Sequence, residues 1–174
     1  MTAQGKPLNF ADAVASGLAV GVPGLVAMLE AAHREHGRMA WQALFAPALR
    51  IADDGFPVSL RLAALIAGDR SLRASEQARE LFFHPDGTPR RAGERMRNLD
   101  LGRTMRELSW EGAKHFYTGD IAPDIVAAVR ASQRPGDMTE ADLAAYQPRR
   151  REVLCTTYRQ HRIFTLVIID TFSF

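Results

Sequence analysis

The sequence predicts a mostly α-helical chain that ends in a pair of β-strands. Through most of residues 1–148, apolar side chains recur at the three- and four-residue spacing of a helix with one buried face. Glycine, proline and capping side chains divide this pattern into separate helices. After Arg149–Arg151 the pattern changes to short runs rich in β-branched residues, which favour strands. We therefore predict a helical segment over residues 1–148 and a strand pair within residues 149–174.

The helices are predicted from their apolar spacing and from the residues at their ends. Ser59, Asn98 and Asp120 are predicted N-caps, because their side chains can accept from unpaired backbone N–H groups. Gly37 and Gly55 follow the last apolar positions of two helices and are typical of C-caps. The predicted helices run from Leu25 to His36, Trp41 to Ala52, Ser59 to Ile66, Ser75 to Phe83, Asn98 to Leu108, and Asp120 to Val129.

Two turns and two strands complete the prediction. Residues 84–89 contain Asp-Gly between two prolines, a pattern that favours a tight reversal. Thr139 and Asp142 form a variant of the capping box, with aspartate in the usual place of glutamate, and start a short turn toward Tyr146. The strands are predicted over residues 152–157 and 162–169, joined through residues 158–161.

The composition indicates one globular domain. The chain has 174 residues, of which 47% are hydrophobic and 24% charged, and its net charge is +2. So small a positive excess gives little support for a nucleic-acid or membrane partner. The single cysteine, Cys155, excludes an internal disulfide and is predicted to be a buried, inert thiol. Polar residues follow Met1 where a secretory signal would be apolar, so we expect the chain as written to stay in the cytoplasm.

The segment Ser16–Gly24 is the most informative part of the chain. It holds three glycines, Gly17, Gly21 and Gly24, together with Pro23, directly before a helical pattern. Such a cluster predicts positive φ angles or close backbone approach. Pro23 is placed in the first turn of the following helix, where its missing N–H is no loss. The spacing matches neither a dinucleotide-binding nor a phosphate-binding loop.

Several residues have the chemical type or the spacing of a functional site, and each has a simpler structural interpretation. His33 and His36, with Glu30 and Glu35, have a spacing that allows metal binding, but a polar, partly packed helix face is favoured. The remaining candidates are interpreted structurally as follows: Asp53 and Asp54 as a solvated helix end, Arg149–Arg151 as a solvated junction, and Trp41 and Trp110 as packing residues.

Blocks distributed along the chain resemble, in order, the γ-glutamyltranspeptidases (γ-glutamyltransferase/glutathione hydrolase). They run from about Gly5 to about Ile163. Any single block is weak evidence for the family, but their occurrence together in the family's order is specific to it. The blocks are Ser16–Gly24 with the helix to Gly37, Pro47-Ala48, Ile51–Phe56, Phe82-Phe83, Asp86-Gly87, Gly93-Glu94, Asn98-Leu99, Phe116–Gly119, Ile121-Ala122, Gly136–Tyr146 and Tyr158-Arg159.

The resemblance implies a segment from the middle of the large subunit of an N-terminal nucleophile hydrolase with an α/β/β/α fold. Members of the family cleave themselves into large and small subunits, and a threonine freed by that cleavage is the nucleophile. The γ-glutamyl group passes from glutathione-like donors to that threonine, then to water or an acceptor amino acid or peptide. The small subunit is the implied partner, no cofactor or metal is implied, and complete members are typically periplasmic or extracellular.

No catalytic, substrate-binding or metal-binding position of the family maps onto a residue of this sequence. The nucleophile threonine and the arginine that grips the substrate carboxylate are expected outside the matched blocks, so the chain alone is expected to be inactive. A non-enzymatic helical interaction module is the alternative, and a basic nucleic-acid binder is a third, weaker one. Residues 164–174 depart from the family pattern, which suggests a shifted or truncated reading frame and an aggregation-prone strand over 164–169.

Overall fold

The computed structural model describes residues 2–3, 6–14 and 16–165. Nine α-helices lie in these ranges, together with two 3₁₀ turns, Gly17–Ala19 and Ser71–Ala74. The helices are α1 (Phe10–Val14), α2 (Leu25–His36), α3 (Trp41–Asp54), α4 (Leu60–Gly68), α5 (Glu76–Phe82), α6 (Leu99–Glu111), α7 (Ala113–Thr118), α8 (Ile121–Arg130) and α9 (Glu140–Ala144). The strands form three antiparallel pairs: β1 (Thr2–Ala3) with β2 (Lys6–Pro7), β3 (Phe56–Pro57) with β4 (Arg95–Met96), and β5 (Leu154–Tyr158) with β6 (His161–Thr165).

Most predicted helix ends are confirmed, either by a glycine at the C-terminus or by a side-chain cap at the N-terminus. Gly55 ends α3 with a φ of 84°, a conformation that glycine adopts without a steric penalty. At the other ends, a side-chain oxygen accepts a bond from a backbone N–H of the first turn. These pairs are Ser59 with Leu62, Ser75 with Ala78 and Asn98 with Leu101, at 3.1, 3.3 and 2.9 Å.

The prediction around α7 and Asp120 is wrong in two respects. Helix α7 was not predicted, because it is short and Gly112, with a φ of 74°, separates it from α6 by a single residue. Asp120 does precede α8, but its side chain makes no capping bond. Its backbone is already helical (φ −67°, ψ −17°), whereas a side-chain N-cap needs extended backbone.

The capping box at α9 is present as predicted. The Asp142 carboxylate accepts from the Thr139 N–H at 2.8 Å and from its hydroxyl at 2.6 Å. These two bonds favour the ionised carboxylate and hold the pKa of Asp142 below its ordinary value of 3.8.

Asp142→Asn is expected to destabilise the chain at neutral pH and to lose this effect in acid. A lowered folded-state pKa adds stability above the unfolded pKa, and this stability disappears as the pH falls through the folded value. Urea unfolding of both proteins at pH 6 and at about pH 2.5 measures the difference. A stability gap that is the same at both pH values would contradict the assignment.

The hydrophobic core lies between α7, α8, α9 and the segment before α9. Leu143 is fully buried at its centre (0% exposed), and Tyr117 packs beside it. The buried members of this core are Ala113, Tyr117, Ala122, Val126, Val129, Met138 and Leu143. A second contact joins α3 to α6, where the Trp41 indole N–H donates to the Leu108 carbonyl at 2.9 Å.

Trp110 does not pack as predicted. It lies on α6 with 75% of its surface exposed, because the side of α6 that it occupies has no described neighbour, whereas Trp41 is half-buried. Phe10 and Leu60 are also exposed, at 84% and 82%.

The C-terminal strand pair is confirmed with altered bounds. The hairpin turn consists of Arg159 and Gln160 alone, and Tyr158 pairs with His161 instead of belonging to the loop. The predicted burial of Cys155 is wrong, because Cys155 and every other residue of β5 are exposed in the part of the chain that the structure describes. Residues 166–169 of the predicted second strand, and the rest of the tail, lie outside the described residues. The division of the chain between residues 148 and 149 stays a prediction.

Candidate functional site

The glycine-rich segment packs against the turn that follows α8. The Gly17 N–H donates to the Arg134 carbonyl and to the Ser132 hydroxyl, both at 2.9 Å. Ser132 in turn donates to the same Arg134 carbonyl at 2.7 Å. A Cβ at Gly17 would lie 2.6 Å from the Gly136 nitrogen, so the two backbones touch here. Glycine is required because any side chain would separate them.

The other two glycines of the segment differ from each other. Gly24 lies against the Tyr146 ring, and a Cβ there would come within 2.7 Å of the ring carbon Cζ. Gly21 has nothing within 4 Å of the corresponding position. The positive-φ glycines in the described chain are elsewhere, so close approach explains Gly17 and Gly24 while neither predicted reason holds for Gly21.

Tyr117 fastens this segment to the helical core. Its hydroxyl donates to the Pro23 carbonyl at 2.6 Å and accepts from the Ala27 N–H at 3.2 Å. Helix α2 begins at Leu25, so Pro23 precedes the N-cap, Gly24, instead of occupying the first turn as predicted. Because Gly24 has no side chain, the tyrosine hydroxyl takes over the capping of α2. Burial raises the pKa of Tyr117 above its usual value.

The sequence gives no local signal for this role of Tyr117, which is separated from its partners by about ninety residues. The Tyr117 ring stacks on Tyr146, with centroids 5.7 Å apart and planes inclined by 11°. A similar distant cap was also missed: Glu30 on α2 accepts from the Ala113 N–H, the first of α7, at 2.7 Å. Both contacts depend on tertiary structure.

The four residues weighed as a metal site do not converge. The His33 Nε2 lies 2.8 Å from the Met39 carbonyl oxygen, and its ring packs 5.1 Å from Trp41. Glu30 caps α7 instead, and His36 is exposed beside Glu35. Among the described residues, no group of three or more His, Cys, Asp or Glu side chains is placed to hold a metal ion.

Asp53 is not the solvated helix end that was predicted, although Asp54 is exposed. The Asp53 Oδ2 pairs with the Arg106 guanidinium at 2.5 Å, which joins α3 to α6. Its Oδ1 is buried without a hydrogen-bond partner among the described residues and faces Gly102. A Cβ at Gly102 would lie 2.7 Å from this oxygen, so glycine makes room for the carboxylate.

Five threonines of the described chain make structural hydrogen bonds or lie on the exposed hairpin. Thr104 and Thr118 donate to carbonyls one helical turn back, at 3.1 and 3.0 Å. Thr139 belongs to the capping box, and Thr156 and Thr157 lie on β5. Among the described residues, none of these hydroxyls is hydrogen-bonded to a histidine, and the Thr139 hydroxyl donates to the Asp142 carboxylate within its cap. Arg149–Arg151 are exposed as predicted, and Arg150 pairs with Glu35.

The family is decided by comparison with known proteins. The sequence model described as gamma-glutamyltranspeptidase matches residues 2–168, which is most of the chain and extends beyond Ile163. The chain belongs to the gamma-glutamyltranspeptidase family. Glutathione hydrolase 7 of Bos taurus is 35% identical over 150 residues, covering 86% of this chain and 22% of that protein. The glutathione hydrolase proenzyme of Bacillus subtilis (strain 168) is 32% identical over 161 residues, covering 92% of this chain and 27% of that protein.

The solved structure of the gamma-glutamyltranspeptidase from Helicobacter pylori has the same fold over nearly the whole chain. Its TM-score is 0.86 at 28% identity, covering 95% of this chain and 47% of that one. This chain therefore has part of an N-terminal nucleophile hydrolase fold, mostly helical with a C-terminal strand pair. It spans about a quarter of the length of these curated relatives.

Two of the sequence blocks that resemble the gamma-glutamyltranspeptidases are in contact. Gly17 of the first block meets Gly136 of the second, and Gly24 meets Tyr146. The helical core on which both blocks rest supplies Tyr117, from a third matched block. Residues about 120 apart in the sequence thus form one packed unit. Within the described ranges, no helix is long and apolar enough to cross a lipid bilayer.

Proposed function

We propose that this chain forms part of the scaffold of a γ-glutamyltransferase or glutathione hydrolase. Such an enzyme moves a γ-glutamyl group from glutathione-like donors to water or to acceptor amino acids and peptides. The observation that carries the proposal is the family match over residues 2–168, together with the fold that these residues adopt. The helices would hold the catalytic residues of the assembled enzyme in place, and this chain supplies none of them.

By itself the chain is proposed to be inactive. Catalysis of this kind depends on a nucleophile, oxyanion donors and a carboxylate clamp held within a few ångströms of one another. Among the described residues, the threonine hydroxyls serve helix caps and turns or lie on the exposed hairpin. No residue of the chain is assigned a catalytic or substrate-binding role.

The proposed partner is the small subunit of such an enzyme. Phe10, Leu60 and Trp110 expose large apolar side chains that a partner surface would cover. The same exposed surface supports the alternative function, a helical interaction module without enzymatic activity.

Mixing distinguishes the two functions. The chain is immobilised, and a separately produced small subunit of a γ-glutamyltransferase is passed over it and then assayed with a γ-glutamyl anilide. Retention with release of the aniline supports an assembling enzyme, and retention without release supports the interaction module. Failure of the small subunit to bind would contradict the proposed partner.

A further inference from the structure

A cleft lined by three arginines lies between the 3₁₀ turn at residues 71–74, helix α5 and the turn that follows it. Its volume is about 510 Å³, within the ~300–1,000 Å³ range of small-molecule sites. Arg73, Arg79 and Arg90 line it, and Phe83 and Pro85 form its apolar part. These guanidinium groups take no part in the contacts at Gly17, Gly24 and Tyr117 described above.

Backbone contacts hold the three guanidinium groups in position. One N–H of each group donates to a backbone carbonyl, which leaves most of its other donors available. The pairs are Arg73 with Gly87, Arg79 with Arg73, and Arg90 with Leu81, at 3.0, 2.7 and 2.7 Å. The Arg73 guanidinium also lies 4.3 Å from the centre of the Phe83 ring, a cation–π contact that favours this position.

The nearby carboxylates are mostly committed to other groups. Asp86 accepts from the Thr88 N–H and hydroxyl at 2.9 and 2.7 Å, which lowers its pKa. Glu94 lies 2.9 Å from the His84 imidazole. Glu80 lines the cleft without an ion pair to the described residues. The cleft therefore sets three oriented cations against one uncommitted carboxylate.

We infer that this cleft binds a small organic or inorganic polyanion carrying at least two carboxylate or phosphate groups. A guanidinium held in a fixed plane matches the two oxygens of a carboxylate or phosphate, and pre-orientation reduces the entropy lost on binding. Three such groups around one cleft favour a multiply charged ligand over a single anion. Phe83 and Pro85 offer apolar contact to a ligand's carbon skeleton.

Isothermal titration of the intact chain with citrate and, separately, with pyrophosphate tests this inference and distinguishes the two ligand chemistries. Arg79→Gln is expected to weaken binding about tenfold or more, because it removes one charge-assisted contact. Arg61→Gln is the matched control: Arg61 is an exposed arginine on α4, outside the cleft, and its loss is expected to change affinity less than about twofold.

A second variant keeps the test decisive even if Arg79→Gln perturbs α5. Glu80→Gln removes the uncommitted carboxylate and is expected to tighten binding of both probes severalfold. The inference would be overturned if neither citrate nor pyrophosphate bound saturably. Equal losses for Arg79→Gln and Arg61→Gln would also overturn it, because they would indicate attraction to net charge alone.

Discussion

Gly17→Ala is expected to lower the free energy of unfolding by about 1–3 kcal/mol. The added methyl group would press on the Gly136 nitrogen and the Val129 carbonyl oxygen, which are backbone atoms and yield little. Relief requires the glycine-rich segment to move away from the turn after α8, which would weaken the two bonds made by the Gly17 N–H. Urea unfolding followed by far-UV circular dichroism measures the loss.

Gly21→Ala is the matched control, four residues away in the same segment. Apart from Gly21 and its two chain neighbours, no described atom lies within 4 Å of the new methyl group, and Gly21 has no positive φ. Its stability is expected to stay the same or to rise by about 0.4–1 kcal/mol, because alanine restricts the unfolded chain. Equal losses for the two variants would contradict the packing assigned to Gly17.

Tyr117→Phe is expected to cost about 1–3 kcal/mol, because the Pro23 carbonyl and the Ala27 N–H both lose their partner in a partly buried place. The ring is retained, so the stacking on Tyr146 stays and the change isolates the hydroxyl. Amide hydrogen exchange adds a local measurement: protection of the first turn of α2 is expected to fall more than protection of α8.

Tyr146→Phe removes a hydroxyl from the other ring of the same stacked pair. This hydroxyl makes no hydrogen bond with the described residues, so the variant is expected to change stability by less than about 0.5 kcal/mol. Equal losses for Tyr146→Phe and Tyr117→Phe would contradict the capping role assigned to the Tyr117 hydroxyl, because removal of a hydroxyl without these two hydrogen bonds would then have the same effect.

Sequence reasoning succeeded where a feature depends on neighbouring residues. The caps at Ser59 and Asn98, the glycine end at Gly55 and the box at Thr139 each involve a few residues in a row, and the structure contains them all. Capping was mispredicted at Asp120 because its backbone conformation is fixed by the tight turn after α7.

The contacts that join the helices were beyond local reasoning. Tyr117 and Glu30 cap the ends of distant helices, and Asp53 pairs with Arg106 across two helices. Periodicity also identifies an apolar face without indicating whether another layer covers it. For this reason Trp110 and Cys155 were assigned to packed positions but are exposed.

The family resemblance in the sequence therefore has a physical counterpart in the fold. The glycine-rich segment and the block ending at Tyr146 both resemble the family, and they lie in contact at Gly17–Gly136 and Gly24–Tyr146. A side chain at Gly17 or Gly136 would separate backbones that touch, and one at Gly24 would displace the Tyr146 ring. Close packing therefore explains Gly17 and Gly24, and we propose that other parts of the enzyme supply its catalytic groups.

The most direct test of this account is the hydrolysis of a γ-glutamyl anilide by the purified chain alone. The account predicts aniline release no faster than in a sample of the heat-denatured chain, because we propose that other parts of the assembled enzyme supply the nucleophile, the oxyanion donors and the carboxylate clamp. Saturable release proportional to the concentration of the chain, and abolished by denaturation, would show that the chain holds a complete catalytic site and would contradict the account.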